Sequence, residues 1–447
     1  MSTTDRIDSA LRRAWALVDE WCGVVRHVML HEVAPSDPPW FFATARLAST
    51  RGFSDVEAAA LCGGAGEHPS AALLAALGEA IERYSIGSYR EDELIRGTFA
   101  ELRPTAVDPR RLVFFADEQY AWPSFPYARV DLAQPLSWTA GTSLVDGRER
   151  LVPAARVFTP YRAPAPVERI MQSTSTGAAC HETRAAATLS ALFECIERDA
   201  FTIAWLNRLP LPLVPADDLA DADLGEAVAR LARRGWTASL FDATSDLPWP
   251  TVVGVLAGTG DRVPALAFGA ATRGSLAAAA RKALIESAHT AFWVRTRNVG
   301  TPARFRSDFA DVTTLNGHSL LYGDPAMRTR AAFLADAVPE PVRRFKAGAR
   351  RLGRGASGDA DVLLRECARS LHEVGLEAVA VDVTPSDVRD LGFEVVRVVV
   401  CDLHPLWGGH HVRCLGGERV RAVPVRMGYR STPAPVAMLN DDPHPMP

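Results

Sequence analysis

The chain has 447 residues, 48% hydrophobic and 23% charged, with a formal net charge of −4. That length buries a large core and accommodates two or three domains or one big one, the balance is that of an ordinary folded protein, and the net charge gives no footprint for nucleic acid or an acidic membrane surface. No apolar run approaches the roughly 20 residues of a membrane span. The opening "MSTTDRIDSALRRAW" lacks an apolar signal core, so a cytoplasmic location is expected. Seven scattered cysteines, never in C-x-x-C, suit reduced thiols rather than a disulfide frame or a zinc site. His410 and His411 have no neighbour at ligand spacing. The only lysines are Lys282 and Lys346, so arginine carries the positive charge, and no G-x-x-x-x-G-K-[ST] loop is present.

In chain order, residues 7–31 read as an amphipathic helix running into a short strand. Residues 40–49 read as a strand that leads to a glycine turn, "CGGAGEHPS" (62–70). A helix of strong period and composition follows over 70–89. Residues 98–165 are proline-punctuated and strand-rich. A second glycine turn, "STSTGAACHE" (173–182), precedes a helix over 183–201, and a third long helix covers 275–293. The stretches 237–257 and 378–400 echo each other as strand, Asp-x-Thr, connector and Val-rich strand. "KAGARRLGRGASGD" (346–359) reads as a solvated loop. The pattern predicts a mixed α/β (α+β) fold with internal pseudo-duplication and no linker separating two units. The expected division is an N-terminal helix and strand over 1–54 and a catalytic domain over 55–447 that ends in a Pro-rich tail, 441–447.

Two helices carry the same chemical pattern, "LGEAIER" (77–83) and "LFECIER" (192–198). Each places two carboxylates and a guanidinium at i, i+3 and i+4, on one helix face. Such a stripe on one helix is often a solvated salt-bridged surface. Here the flanks are rich in Ala and Leu, and buried acidic clusters need partners. A hard divalent cation would relieve their repulsion, and Arg83 and Arg198 suit phosphate oxygens. Glu286 and His289 share a face of the third helix; a surface pair and a site contribution both remain open, as does a structural role for His181 and His289. The ending "DDPHPMP" alternates proline up to the terminal residue, either as a plain tail or as a stiff rod.

These motifs, "LGEAIERYS", "STSTGAAC…ALFECIERDAF", "ALIESAH", "VDVTPSDVRDLGFEVVRVVV" and "LNDDPHPMP", in this order resemble the YcaO family over nearly the whole chain, from about residue 55. The resemblance implies a YcaO-type ATP-binding fold with ATP and Mg²⁺ as cofactors. By motif it makes Glu79, Glu82, Glu194 and Glu197 the metal ligands, with Arg83 and Arg198 near the phosphates. Ser175, Thr176 and Glu286 line the same site. His289 stands where the family commonly has Gln, Thr176 where many members have Asn and Ala76 where many have Ser; the first glycine segment lacks a common Lys. These departures touch nucleotide contacts and leave the acidic core intact.

The resemblance further implies an ATP-dependent cyclodehydratase. In its peptide-modifying members a Cys, Ser or Thr side chain attacks the preceding carbonyl, the oxygen is phosphorylated and phosphate leaves, giving thiazoline or oxazoline. The alternating-proline terminus marks azoline-forming members. It makes Pro443, Pro445 and Pro447 catalytic candidates beside His289, with the Pro447 carboxylate orienting substrate or acting as base. The expected partners are a ribosomally made precursor peptide and a separate ThiF-like or leader-binding protein, with a flavin dehydrogenase in the pathway and a homodimer as further expectations. The alternatives are amide activation that gives a thioamide or amidine, and a non-catalytic peptide-docking paralogue.

Overall fold

Glycine, alanine and valine patterning decides how helices lie on sheets in this protein. The computed structural model describes residues 3–52, 61–219, 221–259, 264–297, 303–352 and 358–447. The chain forms two compact units. Unit 1 comprises Met1–His31, Phe41–Cys195 and Ser357–Pro405; unit 2 comprises Glu32–Trp40, Ile196–Ala356 and Leu406–Pro447. The fold is mixed α/β, and among the described residues every strand pair is antiparallel. The expected boundary at 54/55 lies outside the described residues.

In unit 1, helix α1 (Thr3–Ala14) precedes a sheet of β1 (Val25–Leu30), β2 (Phe41–Leu47) and β3 (Leu61–Gly66), in that order. Helix α2 (Pro69–Gly87) covers this sheet, burying Ala72, Ala76, Leu77, Ala80 and Ile81 against Ala43, Ala45, Leu47 and Cys62. The glycine segment expected to be a turn is thus strand β3. Its glycines serve close approach: a Cβ on Gly64 would lie 2.3 Å from both the Ala72 carbonyl oxygen and the Ala76 nitrogen. A six-stranded sheet completes the unit, in the order β4 (Ile95–Gly97), β5 (Leu136–Ser143), β11 (Ala378–Asp382), β12 (Glu394–Val400) and β7 (Ala178–His181), with β6 (Glu149–Pro153) paired to β5. Helix α3 (Arg184–Leu206) follows β7 and runs across the 195/196 unit boundary.

In unit 2 the same design recurs. Strands β8 (Trp236–Asp242), β9 (Thr251–Gly258) and β10 (Leu266–Thr272) form a sheet in the order β10-β9-β8, and α4 (Leu276–Arg297) packs on it. A Cβ on Gly269 would meet the Ser287 nitrogen at 2.4 Å, so the helix backbone again rests on a glycine strand. The two echoing stretches are antiparallel hairpins, β8–β9 in unit 2 and β11–β12 in unit 1. Helix α5 (Glu340–Leu352) occupies the first half of the segment expected to be a loop. Lys346 explains the difference, since its buried Nζ donates to the carbonyls of Asp242 (2.8 Å) and Thr244 (2.6 Å). Residues 353–357 of that segment lie outside the described residues. Among the described residues no helix is long and apolar enough to cross a membrane.

Candidate functional site

In unit 1 the buried side of α2 faces β3, which leaves Glu79, Glu82 and Arg83 on a half-buried stripe. Glu79 Oε2 accepts from the Gly63 N–H (2.7 Å) and Glu79 Oε1 from Arg83 Nη2 (3.2 Å). Glu82 stands 4.0 Å from Arg83 Nη1. Glu194, from the first half of α3, accepts from the Gly177 N–H (3.2 Å). Burial pushes the Glu82 carboxyl up to about 8; Arg83 opposes the shift, Glu194 and Glu79 add to it, and Arg397 opposes it again. Glu79, Glu82, Arg83 and Glu194 therefore share one electrostatic neighbourhood. The turn holding Ser175 and Thr176 adjoins it: the Ala178 N–H donates to the Ser175 carbonyl (2.9 Å), and Gly177 is bonded to Glu194.

In unit 2, α3 continues with Glu197, 6% exposed, and Arg198, whose Nε lies 3.4 Å from Glu197 Oε1. On α4, Glu286 pairs with Lys282 one turn earlier. Burial would raise the Glu286 carboxyl, but Lys282, His289 and Arg198 together draw it down to about 2. Glu197, Arg198, Glu286 and His289 thus form a second group. Lys282 escaped the sequence reading, although it is one of only two lysines and sits four residues before Glu286.

The C-terminal tail belongs to the same unit, and it is not frayed. Asp442, His444 and Met446 are 5%, 0% and 2% exposed; Pro443 and Pro445 are buried and Pro447 is exposed. Tyr322 Oη donates to the Pro443 carbonyl (2.7 Å) and Trp205 Nε1 to that of Asp442 (3.0 Å). The Asp442 carboxylate pairs with Arg330 (2.7 Å) and Arg208 (3.1 Å). His318 stacks on His444 at 3.9 Å and donates from Nδ1 to its carbonyl (2.8 Å). The His444 ring meets Phe201, one turn beyond Arg198 on α3, edge to face at 6.4 Å, and the Arg198 charge reaches it. A chain of ring contacts therefore ties the tail to the helix that carries Glu197.

The chemistry of the carboxylates gathered in unit 1 suits a divalent cation. The donor set is all carboxylate oxygen, the kind hard cations prefer. Glu82 is crowded by Glu194 and Glu79. Among the described residues no three His, Cys, Asp or Glu side chains are already arranged in ligand geometry.

Comparison with known proteins decides the family. Residues 63–404 match the sequence pattern of the YcaO cyclodehydratases, which bind ATP and Mg²⁺. The chain belongs to the YcaO family. An uncharacterised protein of Methanothermobacter thermautotrophicus is 29% identical over 349 residues, 77% of this chain and 81% of that protein. A heterocyclase solved in complex with substrate and cofactor superimposes with a TM-score of 0.81 at 23% identity, over 98% of this chain. This chain spans 57% of that heterocyclase's length. The YcaO protein of Methanopyrus kandleri, bound with AMPPCP and Mg²⁺, matches with a TM-score of 0.64 at 20% identity over 90% of this chain and 91% of its own. At these identities the solved structures speak for the fold.

Proposed function

We propose that this YcaO protein is an azoline-forming cyclodehydratase that converts Cys, Ser or Thr of a ribosomally made precursor peptide into thiazoline or oxazoline. The observation that carries the reading is the anchored tail: Asp442, His444 and Met446 are buried while Pro447 stays exposed. A backbone fixed up to its penultimate residue holds a terminal carboxylate in place at little entropic cost.

In this reading Glu79, Glu82, Glu194 and Glu197 hold Mg²⁺, and Arg83 and Arg198 hold phosphate oxygens through paired N–H donors. Ser175, Thr176, Glu286 and His289 contact the nucleotide, with Lys282 fixing Glu286. ATP, with Mg²⁺ neutralising its phosphates, would supply when bound the phosphoryl group that turns the former amide oxygen into a leaving group. The chain's own part is positional and electrostatic. The Pro447 carboxylate orients the peptide and accepts the proton lost by the attacking thiol or hydroxyl. The guanidinium of Arg198 steadies negative charge as it develops. The net change is one water lost per ring, its oxygen leaving as phosphate. Residues 55–447 act as the catalytic module, in the cytoplasm, with a separate leader-binding partner.

Mass spectrometry of a Cys/Ser/Thr-rich precursor peptide, incubated with the protein, its partner, ATP and Mg²⁺, tests this. Loss of one water per ring is expected from the wild type and none from Glu197→Gln. Replacement of an amide oxygen by sulfur, or an unmodified peptide under turnover of ATP, contradicts it.

A further inference from the structure

A single charge interrupts the valines of β12, in "EVVRVVV". Arg397 is 1% exposed, yet among the described residues no carboxylate is hydrogen-bonded to it. Its Nε donates to the Arg156 carbonyl (3.1 Å) and its Nη2 to the Thr174 carbonyl (2.6 Å), while Nη1 has no hydrogen-bond partner among the described residues. A buried guanidinium that is only partly satisfied is costly and calls for an explanation.

Its surroundings supply one. Arg397 lies opposite Ala178 in the β12–β7 register, at the foot of the turn that carries Ser175 and Thr176. The next residue continues the clamp: the Val398 N–H donates to the Gly177 carbonyl (2.7 Å), and the Cys195 thiol to the Val398 carbonyl (3.5 Å). Gly177, at φ +87°, in turn donates to Glu194. No side chain fits there, because a Cβ would stand 2.4 Å from the Val398 oxygen and 2.7 Å from Cys195 Sγ. Turn, strand and Glu194 are therefore tied together by hydrogen bonds. Burial and neighbouring Arg156 lower the Arg397 pKa to about 10 against the pull of Cys195, Glu194 and Glu82, so the group stays charged at neutral pH.

We propose that Arg397 is a positioning residue of the nucleotide–Mg²⁺ site, fixing the Thr174–Gly177 turn against Glu194 and supplying the buried positive charge that balances Glu82 and Glu194. The inference rests on the reading of those glutamates as metal ligands. It assigns to the site a residue from a strand, outside the two acidic helix motifs and the tail.

The test is calorimetric titration of the full chain with a non-hydrolysable ATP analogue across a series of Mg²⁺ concentrations, alongside thermal denaturation without nucleotide. Charge-assisted hydrogen bonds of this kind set the scale, so Arg397→Met is expected to bind the analogue about tenfold more weakly, with its Mg²⁺ midpoint lowered because a positive charge that competes with the cation for Glu82 and Glu194 is gone. Arg397→Lys keeps the charge and one carbonyl bond; its Mg²⁺ midpoint stays near wild type and its affinity falls between the two. A purely structural residue would shift melting temperature without that separation. Binding by folded Arg397→Met within about threefold of wild type, while Glu197→Gln loses binding, overturns this inference alone. Wild-type binding by Glu197→Gln overturns the metal reading and this inference with it. Should Arg397→Met not fold, Arg397→Lys decides: weakened binding supports the role and unchanged binding overturns it.

Discussion

His444 shows what one buried side chain settles. Its Nε2 faces the Trp407 carbonyl at 2.9 Å, and His318 Nδ1 faces the His444 carbonyl, so each of these nitrogens carries a proton. Burial, the largest cause for each, pushes His444 down to about 3 and lowers His318 as well. An unfolded histidine takes up its proton near 6.5. Between that value and 3 the unfolded chain therefore binds more protons at His444 than the folded one. Stability from this residue is full above pH 6.5 and is lost as pH falls toward 3, at about 1.4 kcal/mol per pH unit. Urea denaturation at pH 7.5 and pH 5 is expected to show a drop that includes about 2 kcal/mol from His444. His444→Asn is expected to flatten that slope, and an unchanged slope would contradict the burial argument. The alternating prolines made stiffness readable in the sequence. That the histidine between them lies under His318, Trp407 and Phe201 was not readable, since those residues are distant in the chain.

At the scale of elements, α3 is held in unit 2 by charge as well as by packing. Asp199 follows Arg198 directly and is fully buried; Arg419, on α6 (Arg419–Arg426), grips it through Nε and Nη2 (2.8 Å) and Asp246 through Nη2 (2.7 Å). Removing one partner from a buried charged set leaves the others uncompensated. Arg419→Met is therefore expected to destabilise the protein by about 3–5 kcal/mol, read from the urea midpoint. A loss comparable with that of an exposed ion pair would mean that the triad is solvated in solution. The long helices were legible because period and alanine content agree over 19 to 23 residues. The glycine strand β3 was not, because glycine signals a turn locally, whereas here it admits the α2 backbone. Lys346 likewise looked like a loop residue until its carbonyl partners on β8 and beyond appeared.

For the whole molecule, the tail makes the sharpest prediction. Met446 belongs to the apolar core of unit 2, whereas Pro447 is exposed. Deleting Pro447 alone, or extending the chain past it, displaces the carboxylate and leaves the core intact. Ring formation is expected to stop while Mg²⁺–nucleotide binding and melting temperature stay near wild type; normal ring formation would reduce the tail to an anchor. The chain passes between its two units five times, once in the middle of α3, so their boundaries leave no linker to find. The sequence by itself determined the helices, the acidic and arginine residues on them, and a proline-stiffened end, because each is local in spacing or composition. Only tertiary structure decided that β12 brings Arg397 beneath the Ser175 turn, and that Trp205, His318 and Tyr322 seat the tail. Those groupings depend on pairings between distant segments, which burial selects and which local pattern does not encode.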